Sequence, residues 1–272
     1  MKNLNVYTAP PPSSGVIANF LLGVMDQFDT KEFDFRDAVT YQRFVEACKF
    51  GFAKRTMLAD WRDQEHRQEL EKVTKKNEEF PWELVFCLQL VDDLASSEYA
   101  WMIRQQIRDN WTSNNVTFYG ADFSGRDDAG TAHLAVLAPN GDAVSVTSTV
   151  NYGFGSGIYS KDLGLLYNNE MDDFSSPGMT NAYGIEPSPA NFIKPGKRPL
   201  SSMAPLLVTD ADGDVVLLAG ASGGPKIVTG TAWVALLRLY GGRNVKEAID
   251  MPRLHHQLLP MKVQYYPGKQ DI

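Results

Sequence analysis

The amino-acid sequence predicts an α+β fold in which helices come first, β-hairpins follow and helices return. Before residue 130, apolar side chains recur at three- and four-residue steps, which is the spacing of amphipathic helices. After Gly130 the sequence changes to alternating β-branched residues and glycine-rich turns, which is typical of antiparallel hairpins. Because no crossover helix separates the predicted strands, the pattern favours layered helices and hairpins over the parallel sheet of an α/β fold.

The N-terminal region is predicted to be mainly helical. A turn at Pro10–Gly15 precedes an apolar helix over residues 16–28. A second, amphipathic helix is expected over residues 38–58, with Arg43 and Lys49 largely away from its apolar face. The first two helices are therefore expected to pack on a common core.

Residues 61–107 combine a charged segment with a further helix. The segment over residues 61–90 begins with many charged side chains and ends in an apolar run, and we expect a surface insertion with no clear place in a compact core. The next helix has Ser96 or Ser97 as a candidate N-cap and runs to Ile107.

A first hairpin is predicted around residues 139–142. A three-residue loop pairs Leu134 with Val146, apolar with apolar, and places Thr131 opposite Thr149. A two-residue loop would instead set Leu134 and Val136 against Thr147 and Ser145. The first register is preferred because it keeps apolar side chains on one face.

A second hairpin is predicted over residues 206–219, turning at Asp212–Gly213 and leading into a glycine-rich turn at 220–224. A helix is expected over residues 229–240, with two glycines after its C-terminus. Asn244 and Glu247 then form a capping-box pattern for a short helix that stops before Pro252.

Composition excludes several function classes. With 26 Lys and Arg against 33 Asp and Glu, the net charge of −7 would repel a nucleic-acid backbone. No stretch approaches the roughly 20 apolar residues of a membrane-spanning helix, and residues 1–12 lack the apolar core of a signal peptide. Two cysteines without a CxxC spacing or a nearby histidine cluster predict no metal site, and no cofactor motif is found.

One motif suggests a serine hydrolase. Residues 220–224 match G-x-S-x-G between a predicted strand and helix, which would make Ser222 the nucleophile and His255 or His256 its base. Too few residues separate Ser222 from the histidines for the strand–helix units that an α/β-hydrolase needs. A glycine-rich turn that lets the backbone approach a ligand is the better interpretation.

A different nucleophile is indicated at Thr131, which follows Gly130 and opens a predicted strand. If the chain were cut between them, Thr131 would gain a free α-amine. That amine has a low intrinsic pKa and can take the proton of the threonine hydroxyl, so one residue supplies both nucleophile and base. A Gly–Thr pair alone is usually just a turn, and the motifs that follow give this one its weight.

Several motifs in one order resemble the small subunit of the γ-glutamyltransferase family, and the likeness extends upstream through Pro10–Gly15 and Lys54–Thr56 into the end of the large subunit. The small-subunit motifs are Gly130–His133, Ala143–Asn151, Asn168–Ser175, Pro195–Met203, Gly223–Gly224 and Pro252–Gln257. The resemblance implies a four-layer αββα N-terminal-nucleophile hydrolase fold, here incomplete. Residues 1–130 would be the C-terminal part of the large subunit, and residues 131–272 the catalytic region of the small subunit.

The resemblance also assigns roles to single residues. Self-cleavage between Gly130 and Thr131 would free Thr131 as the nucleophile, with Thr149 as its hydroxyl partner. The backbone N–H groups of Gly223 and Gly224 would stabilise the oxyanion. The remaining matches are to substrate contacts. Asn151, Glu170 and Asp173 match positions that hold the glutamyl α-amino group, and Ser201 and Ser202 match hydroxyl contacts to its α-carboxylate. Thr149 and Gly224 are also matched to substrate binding.

The implied reaction is transfer of the γ-glutamyl group of glutathione and related amides to an amino acid, a dipeptide or water. The family further implies two subunits from one precursor, and action at the extracellular face of the plasma membrane or in secretion. The N-glycosylation tripeptides that begin at Asn110 and Asn115 suit such a location. The family's arginine that clamps the substrate carboxylate has no counterpart here, so the alternative is a truncated or non-catalytic member.

Overall fold

The computed structural model describes residues 3–29, 33–60, 82–123, 130–179 and 187–268. Its helices are α1 (Gly15–Asp26), α2 (Ala38–Arg55), α3 (Trp82–Ala95), α4 (Ser97–Gln106), α5 (Lys226–Leu239) and α6 (Val245–Asp250). Its strands are β1 (Asn5–Thr8), β2 (Thr131–Leu137), β3 (Ala143–Thr149), β4 (Tyr159–Ser160), β5 (Leu165–Leu166), β6 (Leu206–Thr209), β7 (Val215–Ala219), β8 (Arg253–His255) and β9 (Gln264–Tyr266). Short 3-10 helices cover Val116–Tyr119, Glu170–Asp173 and Pro189–Asn191.

Helix α1 lies at the centre of the helical layer. It contacts α2, α3, α4 and α5, and residues such as Ile17 and Leu21 are fully buried. A helix that is apolar on all sides is stable only when it is surrounded in this way. The predicted helix over 16–28 is therefore confirmed, although it begins one residue earlier and ends two residues earlier.

Helix α2 is buried on more sides than its sequence pattern predicts. Arg43 and Lys49 were expected away from the core, yet they are only 7% and 4% exposed. Arg43 forms a bidentate ion pair with Asp109, at 2.8 Å for each bond. Lys49 lies 3.0 Å from Glu46, and Tyr119 donates to the same carboxylate. Pairing with these carboxylates makes burial of the two charges tolerable.

The end of the segment 61–90, which was predicted as a surface insertion, packs in the core. Residues 61–81 lie outside the described residues, but the apolar run that follows forms α3 and contacts α1. Leu90 is 6% exposed and Leu94 1% exposed. The expectation that this region has no place in the core is therefore wrong for the end of the segment. The following helix α4 begins as predicted, with Ser96 accepting a hydrogen bond from the Tyr99 amide.

A three-stranded antiparallel sheet, in the order β1–β6–β7, packs against the helical layer. Its helix-facing side carries Leu206, Val208, Leu217 and Ala219, all buried. The predicted second hairpin is β6–β7, with Leu206 opposite Ala219. Strand β1 pairs with β6 across almost the whole sequence, so residues on both sides of Gly130 share one sheet and one core. The subunit boundary at Gly130 remains a prediction.

The hairpin β2–β3 packs on β7 and β6 at the other face of this sheet. Its register pairs Leu134 with Val146 and Thr131 with Thr149, so the prediction is confirmed and the alternative register is wrong. The polar face of the hairpin is turned inward, while Leu134 and Val146 remain 64% and 47% exposed. Helices, sheet and hairpin thus form three successive layers, and the predicted α+β class is confirmed.

The C-terminal helices follow the sequence signals with one difference. Helix α5 begins at Lys226, three residues before the predicted start, directly after the glycine turn. The capping box of Asn244 and Glu247 is present in full at the start of α6. Among the residues described, no helix has both the length and the apolar character needed to cross a bilayer.

Candidate active site

The hydroxyl groups of Thr131 and Thr149 meet at the start of the first hairpin. Thr131 Oγ1 donates to Thr149 Oγ1 at 3.1 Å, because the β2–β3 register sets the two residues side by side. Thr149 Oγ1 also accepts the amide of Asn151 at 2.9 Å. Both threonines are half-buried. Adjacent strands therefore hold the predicted nucleophile and its partner in fixed positions.

The carbonyl group of Gly130 lies within the same network. Its oxygen accepts hydrogen bonds from Thr149 Oγ1 and from the Val150 amide, each at 3.3 Å. Gly130 has a φ of +142°, and a Cβ atom at this position would lie 2.5 Å from the backbone oxygens of Asn151 and Tyr152. Only glycine fits this approach. The arrangement places two donors on the carbonyl that precedes the threonine, where attack would develop negative charge.

The Gly223–Gly224 turn follows β7 and precedes α5. Both glycines have positive φ, of +113° and +63°, a conformation that side chains strongly disfavour. His133, two residues after Thr131, lies directly over Gly220, where an added Cβ would come within 2.2 Å of the imidazole ring. Strand β2, which begins at Thr131, therefore touches the segment that leads into the Gly223–Gly224 turn, with no other layer between them.

His133 is held within the hairpin by a 3.0 Å hydrogen bond between its Nδ1 and Thr147 Oγ1. Burial lowers the pKa of the imidazole below its ordinary value. Its Nε2 is buried without a hydrogen-bond partner among the described residues. His133 therefore packs between the hairpin and the segment that leads into the glycine turn. Its position was missed in the sequence, where it is only one residue of an alternating strand.

Asn151 and the 3-10 helix Glu170–Asp173 form an acidic, polar corner beside Thr149. Asn151 is 1% exposed and has a φ of +69°. Its side-chain Nδ2 donates to the backbone oxygen of Asn169 at 3.1 Å. Its Oδ1 has no hydrogen-bond partner among the described residues. Asp173 is also buried, at 6% exposed. A buried acceptor oxygen that lies next to the segment carrying Glu170 and Asp173 suits an ammonium group.

Ser201 and Ser202 lie in a loop that is fastened to the Pro10–Gly15 turn. The Ser201 amide donates to Pro12 O at 2.8 Å, and Ser14 Oγ donates to Ser201 O at 2.6 Å. The Ser201 hydroxyl accepts the Met203 amide at 3.2 Å. The Pro10–Gly15 turn was predicted from the sequence without a role. These contacts show that it supports the loop that carries Ser201 and Ser202.

Asn191 connects the acidic corner to the serine loop. Its Nδ2 donates to Asp173 O at 2.7 Å, and its Oδ1 accepts the Leu200 amide at 2.9 Å. The side chain is 5% exposed, so both bonds are shielded from water. No sequence signal identified this residue, because a lone asparagine in a Pro-rich loop is usually only part of a turn.

The serine-hydrolase alternative is not supported by the geometry. Ser222 is exposed, and no hydrogen bond joins it to either histidine within the described part of the chain. His255 is bonded to Thr229 and Gln257, at 2.8 Å in each case. His256 Nδ1 accepts a backbone amide at 3.0 Å. Both histidines are therefore engaged in holding β8 and its following loop.

Across the described ranges, no group of three or more His, Cys, Asp or Glu side chains is arranged to hold a metal ion. Cys48 is a buried free thiol whose pKa is raised by burial. The groups gathered around Thr131 are hydroxyls, amides and carboxylates, a set suited to acyl transfer by a hydroxyl nucleophile.

The chain is similar to known proteins over nearly its whole length. The family described as Gamma-glutamyltranspeptidase matches residues 1–271. Scoloptoxin SSD14 of Scolopendra dehaani is 42% identical over 266 residues, which cover 96% of this chain and 42% of that protein. The Glutathione hydrolase proenzyme of Escherichia coli (strain K12) is 35% identical over 270 residues, covering 98% of this chain and 42% of its own length. The chain therefore spans less than half the length of these relatives.

A solved structure supports the fold independently. Cephalosporin acylase from Bacillus halodurans superposes with a TM-score of 0.64 at 23% identity, over 94% of this chain and 39% of that one. At this identity the likeness concerns the fold alone, and it agrees with the layers described above. The family match over residues 1–271 establishes that the chain belongs to the γ-glutamyltranspeptidase family.

Proposed function

We propose that the protein carrying this chain transfers or hydrolyses γ-glutamyl groups, with Thr131 as nucleophile. The observation that carries the proposal is the hydrogen bond from Thr131 Oγ1 to Thr149 Oγ1, in a network that also binds the Gly130 carbonyl. Relatives named glutathione hydrolase support the choice of glutathione and related γ-glutamyl amides as donors.

The first step in this proposal is self-cleavage. The Thr131 hydroxyl attacks the Gly130 carbonyl carbon, the peptide C–N bond breaks, and the proton passes to the new α-amine. Water then hydrolyses the ester, leaving a carboxylate at Gly130 and a free N-terminus at Thr131. The two donors on the Gly130 oxygen support this step, because they would stabilise the developing oxyanion. The name proenzyme, borne by several relatives, agrees with such processing.

Turnover would reuse the same hydroxyl. The free α-amine of Thr131 takes the hydroxyl proton, and the oxygen attacks the γ-carbonyl carbon of the donor. The leaving amine receives the proton as its C–N bond breaks, which leaves a γ-glutamyl ester on Thr131. An amino acid, a dipeptide or water then attacks the ester and releases the enzyme. In this scheme the amides of Gly223 and Gly224 donate to the oxyanion.

Recognition of the glutamyl group is assigned to two polar sites. Asn151, Glu170 and Asp173 would hold the α-ammonium group, which the buried Oδ1 of Asn151 supports. Ser201 and Ser202 would donate to the α-carboxylate. Asn191 joins the two sites through Asp173 and Leu200, so their spacing would select an α-amino acid.

The cleaved halves would remain together as large and small subunits. Strand β1 and helix α1 precede Gly130 yet pack with β6 and α5, which follow it, so cleavage would leave the shared core intact. We further propose action outside the cell, at the membrane surface or in secretion. The exposed side chains of Asn110 and Asn115 are compatible with glycans there.

The proposal is tested with the protein that carries this chain, in parallel with Thr131→Ala, Thr131→Ser and Ser222→Ala. We expect the unaltered protein to yield a fragment beginning at Thr131 and to release aniline from a γ-glutamyl anilide. Thr131→Ala should show neither self-cleavage nor release of aniline. Thr131→Ser should retain part of both activities. Ser222→Ala should remain active. An uncleaved, inactive unaltered protein would refute the proposal in favour of a non-catalytic member, and loss of activity in Ser222→Ala alone would revive the serine alternative.

A further inference from the structure

We propose that Arg55 is a positioning residue for the α-carboxylate site, holding the hydroxyls of the serine loop so that they donate to the substrate. The inference rests on the proposed function, because it concerns recognition of the same glutamyl donor. Arg55 is the last residue of α2 and is 5% exposed. It belongs to the Lys54–Thr56 motif and does not match the carboxylate-clamping arginine that the resemblance implies.

The guanidinium of Arg55 reaches both sides of the site. Its Nη2 donates to Ser202 Oγ at 2.8 Å, and its Nε donates to Ser14 Oγ at 2.9 Å. Ser14 Oγ in turn donates to Ser201 O at 2.6 Å. Arg55 thus fixes Ser202 directly and Ser201 through Ser14. Ser14 and Ser202 are each 0% exposed, so water does not compete for these bonds.

These bonds determine whether the hydroxyls of Ser201 and Ser202 can still donate a hydrogen bond. A hydroxyl has one hydrogen to donate and two lone pairs that accept. Ser202 Oγ accepts from Arg55, and Ser201 Oγ accepts from the Met203 amide. No described side chain or carbonyl takes the hydrogen of either hydroxyl. Both serines are therefore left as donors, which is the role that binding a carboxylate requires.

An arginine suits this position for two further reasons. Its planar fork spaces two N–H donors at fixed angles, so it can hold two hydroxyls at once, whereas lysine offers a single point charge. Its charge also lies behind the serine pair, where low solvent exposure strengthens attraction to an anion. The neighbouring ion pair of Asp60 with Arg198, at 2.7 Å, fastens the same loop three residues before Ser201. This ion pair gives the loop a second attachment, to the segment that follows α2.

The test compares two donors that differ only in the α-carboxylate: a γ-glutamyl anilide and the corresponding 4-aminobutyryl anilide. In the protein that carries this chain, Arg55→Met should lower the kcat/KM ratio of the first donor over the second by about tenfold or more, mainly through KM. Arg55→Lys should restore part of the ratio. Ser14→Ala, a smaller change, should lower the ratio less. Self-cleavage at Thr131 should persist in all three variants.

Arg43→Met is the matched control, because Arg43 is also a buried arginine of α2 but pairs with Asp109 outside the site. It should leave the donor ratio unchanged. Equal losses for both donors in Arg55→Met and Ser14→Ala would overturn the inference and reduce Arg55 to a structural residue. If Arg55→Met does not fold, Arg55→Lys and Ser14→Ala test the inference instead. A donor ratio that is unchanged in both variants would overturn the inference. An unaltered protein that does not cleave the γ-glutamyl donor would instead refute the proposed function, and with it this role.

Discussion

The hydroxyl of Thr149 lies 3.3 Å from the carbonyl oxygen of Gly130 and donates a hydrogen bond to it. The same hydroxyl accepts the hydrogen bond of Thr131 Oγ1 at 3.1 Å and that of the Asn151 amide at 2.9 Å. One side chain thus contacts the proposed attacking oxygen, the carbonyl that it would attack and a residue of the proposed ammonium site. The first prediction follows from this position.

Thr149→Val should slow self-cleavage by about 100-fold, since removing one oxyanion donor costs about 3 kcal/mol of barrier. Thr149→Ser keeps the hydroxyl and should cleave at a rate close to that of the unaltered protein. The rate is measured as the appearance of the fragment beginning at Thr131 by mass spectrometry. Ser148→Ala, at the exposed neighbouring residue, is the control. Cleavage of Thr149→Val at the unaltered rate would exclude this role for the hydroxyl.

Gly130→Ala should block self-cleavage and lower thermal stability, because the new Cβ would meet backbone oxygens at 2.5 Å. Gly141→Ala is the control: its φ of +92° is also unfavourable for alanine, but no heavy atom lies within 4 Å of the added Cβ. We expect that control to lose about 1 kcal/mol of stability and to cleave normally. Normal cleavage of Gly130→Ala would contradict the need for close backbone contact at this bond.

Asn191→Leu should raise the KM for a γ-glutamyl anilide by about tenfold with a smaller effect on kcat, since two shielded hydrogen bonds between the proposed ammonium and carboxylate sites are lost. Steady-state kinetics over a range of donor concentrations measure the effect. Asn140→Leu alters an exposed turn asparagine whose side chain bonds to Asp142, and should leave KM unchanged. A fall in kcat with an unchanged KM would show that Asn191 does not set the spacing of the two sites.

Stability should decrease on acidification through His256. Burial, with Lys49 and His255 nearby, lowers the pKa of His256 from 6.5 to about 3. Between these values the unfolded chain binds a proton that the native side chain does not, so the free energy of unfolding falls by about 1.4 kcal/mol per pH unit below 6.5. Above pH 6.5 this penalty is absent.

Urea unfolding at several pH values between about 6 and 4 measures the slope that this linkage predicts. His256→Gln retains an acceptor for the Leu258 amide that now binds Nδ1, but cannot take up a proton in this range. Its unfolding free energy should change less steeply with pH. Identical slopes in the two proteins would remove His256 as the cause.

Local patterns were sufficient to predict the elements that carry the nucleophile. Alternation in the first hairpin established the register that pairs Thr131 with Thr149, and Asn244 with Glu247 marked the start of α6. Both signals involve residues close in sequence, so the energetic preference is visible without the fold. The roles of the individual residues came from the family motifs instead.

Long-range contacts were not visible in the sequence. Arg43 and Lys49 are buried because Asp109, Glu46 and Tyr119 satisfy them, and most of these partners lie far along the chain. Helical periodicity alone assigns such charges to solvent. Asn191 and Arg55 were missed for the same reason, since their partners belong to loops that only the folded chain brings together.

Because Gly130 and Thr131 are consecutive, each molecule would carry both reagents of its first reaction at a fixed mutual distance. Such intramolecular steps follow first-order kinetics, governed by effective molarity rather than by protein concentration. Maturation would then have the same half-time in dilute and concentrated solution. It would need no second protease, so self-cleavage would begin as soon as the chain has been synthesised and folded.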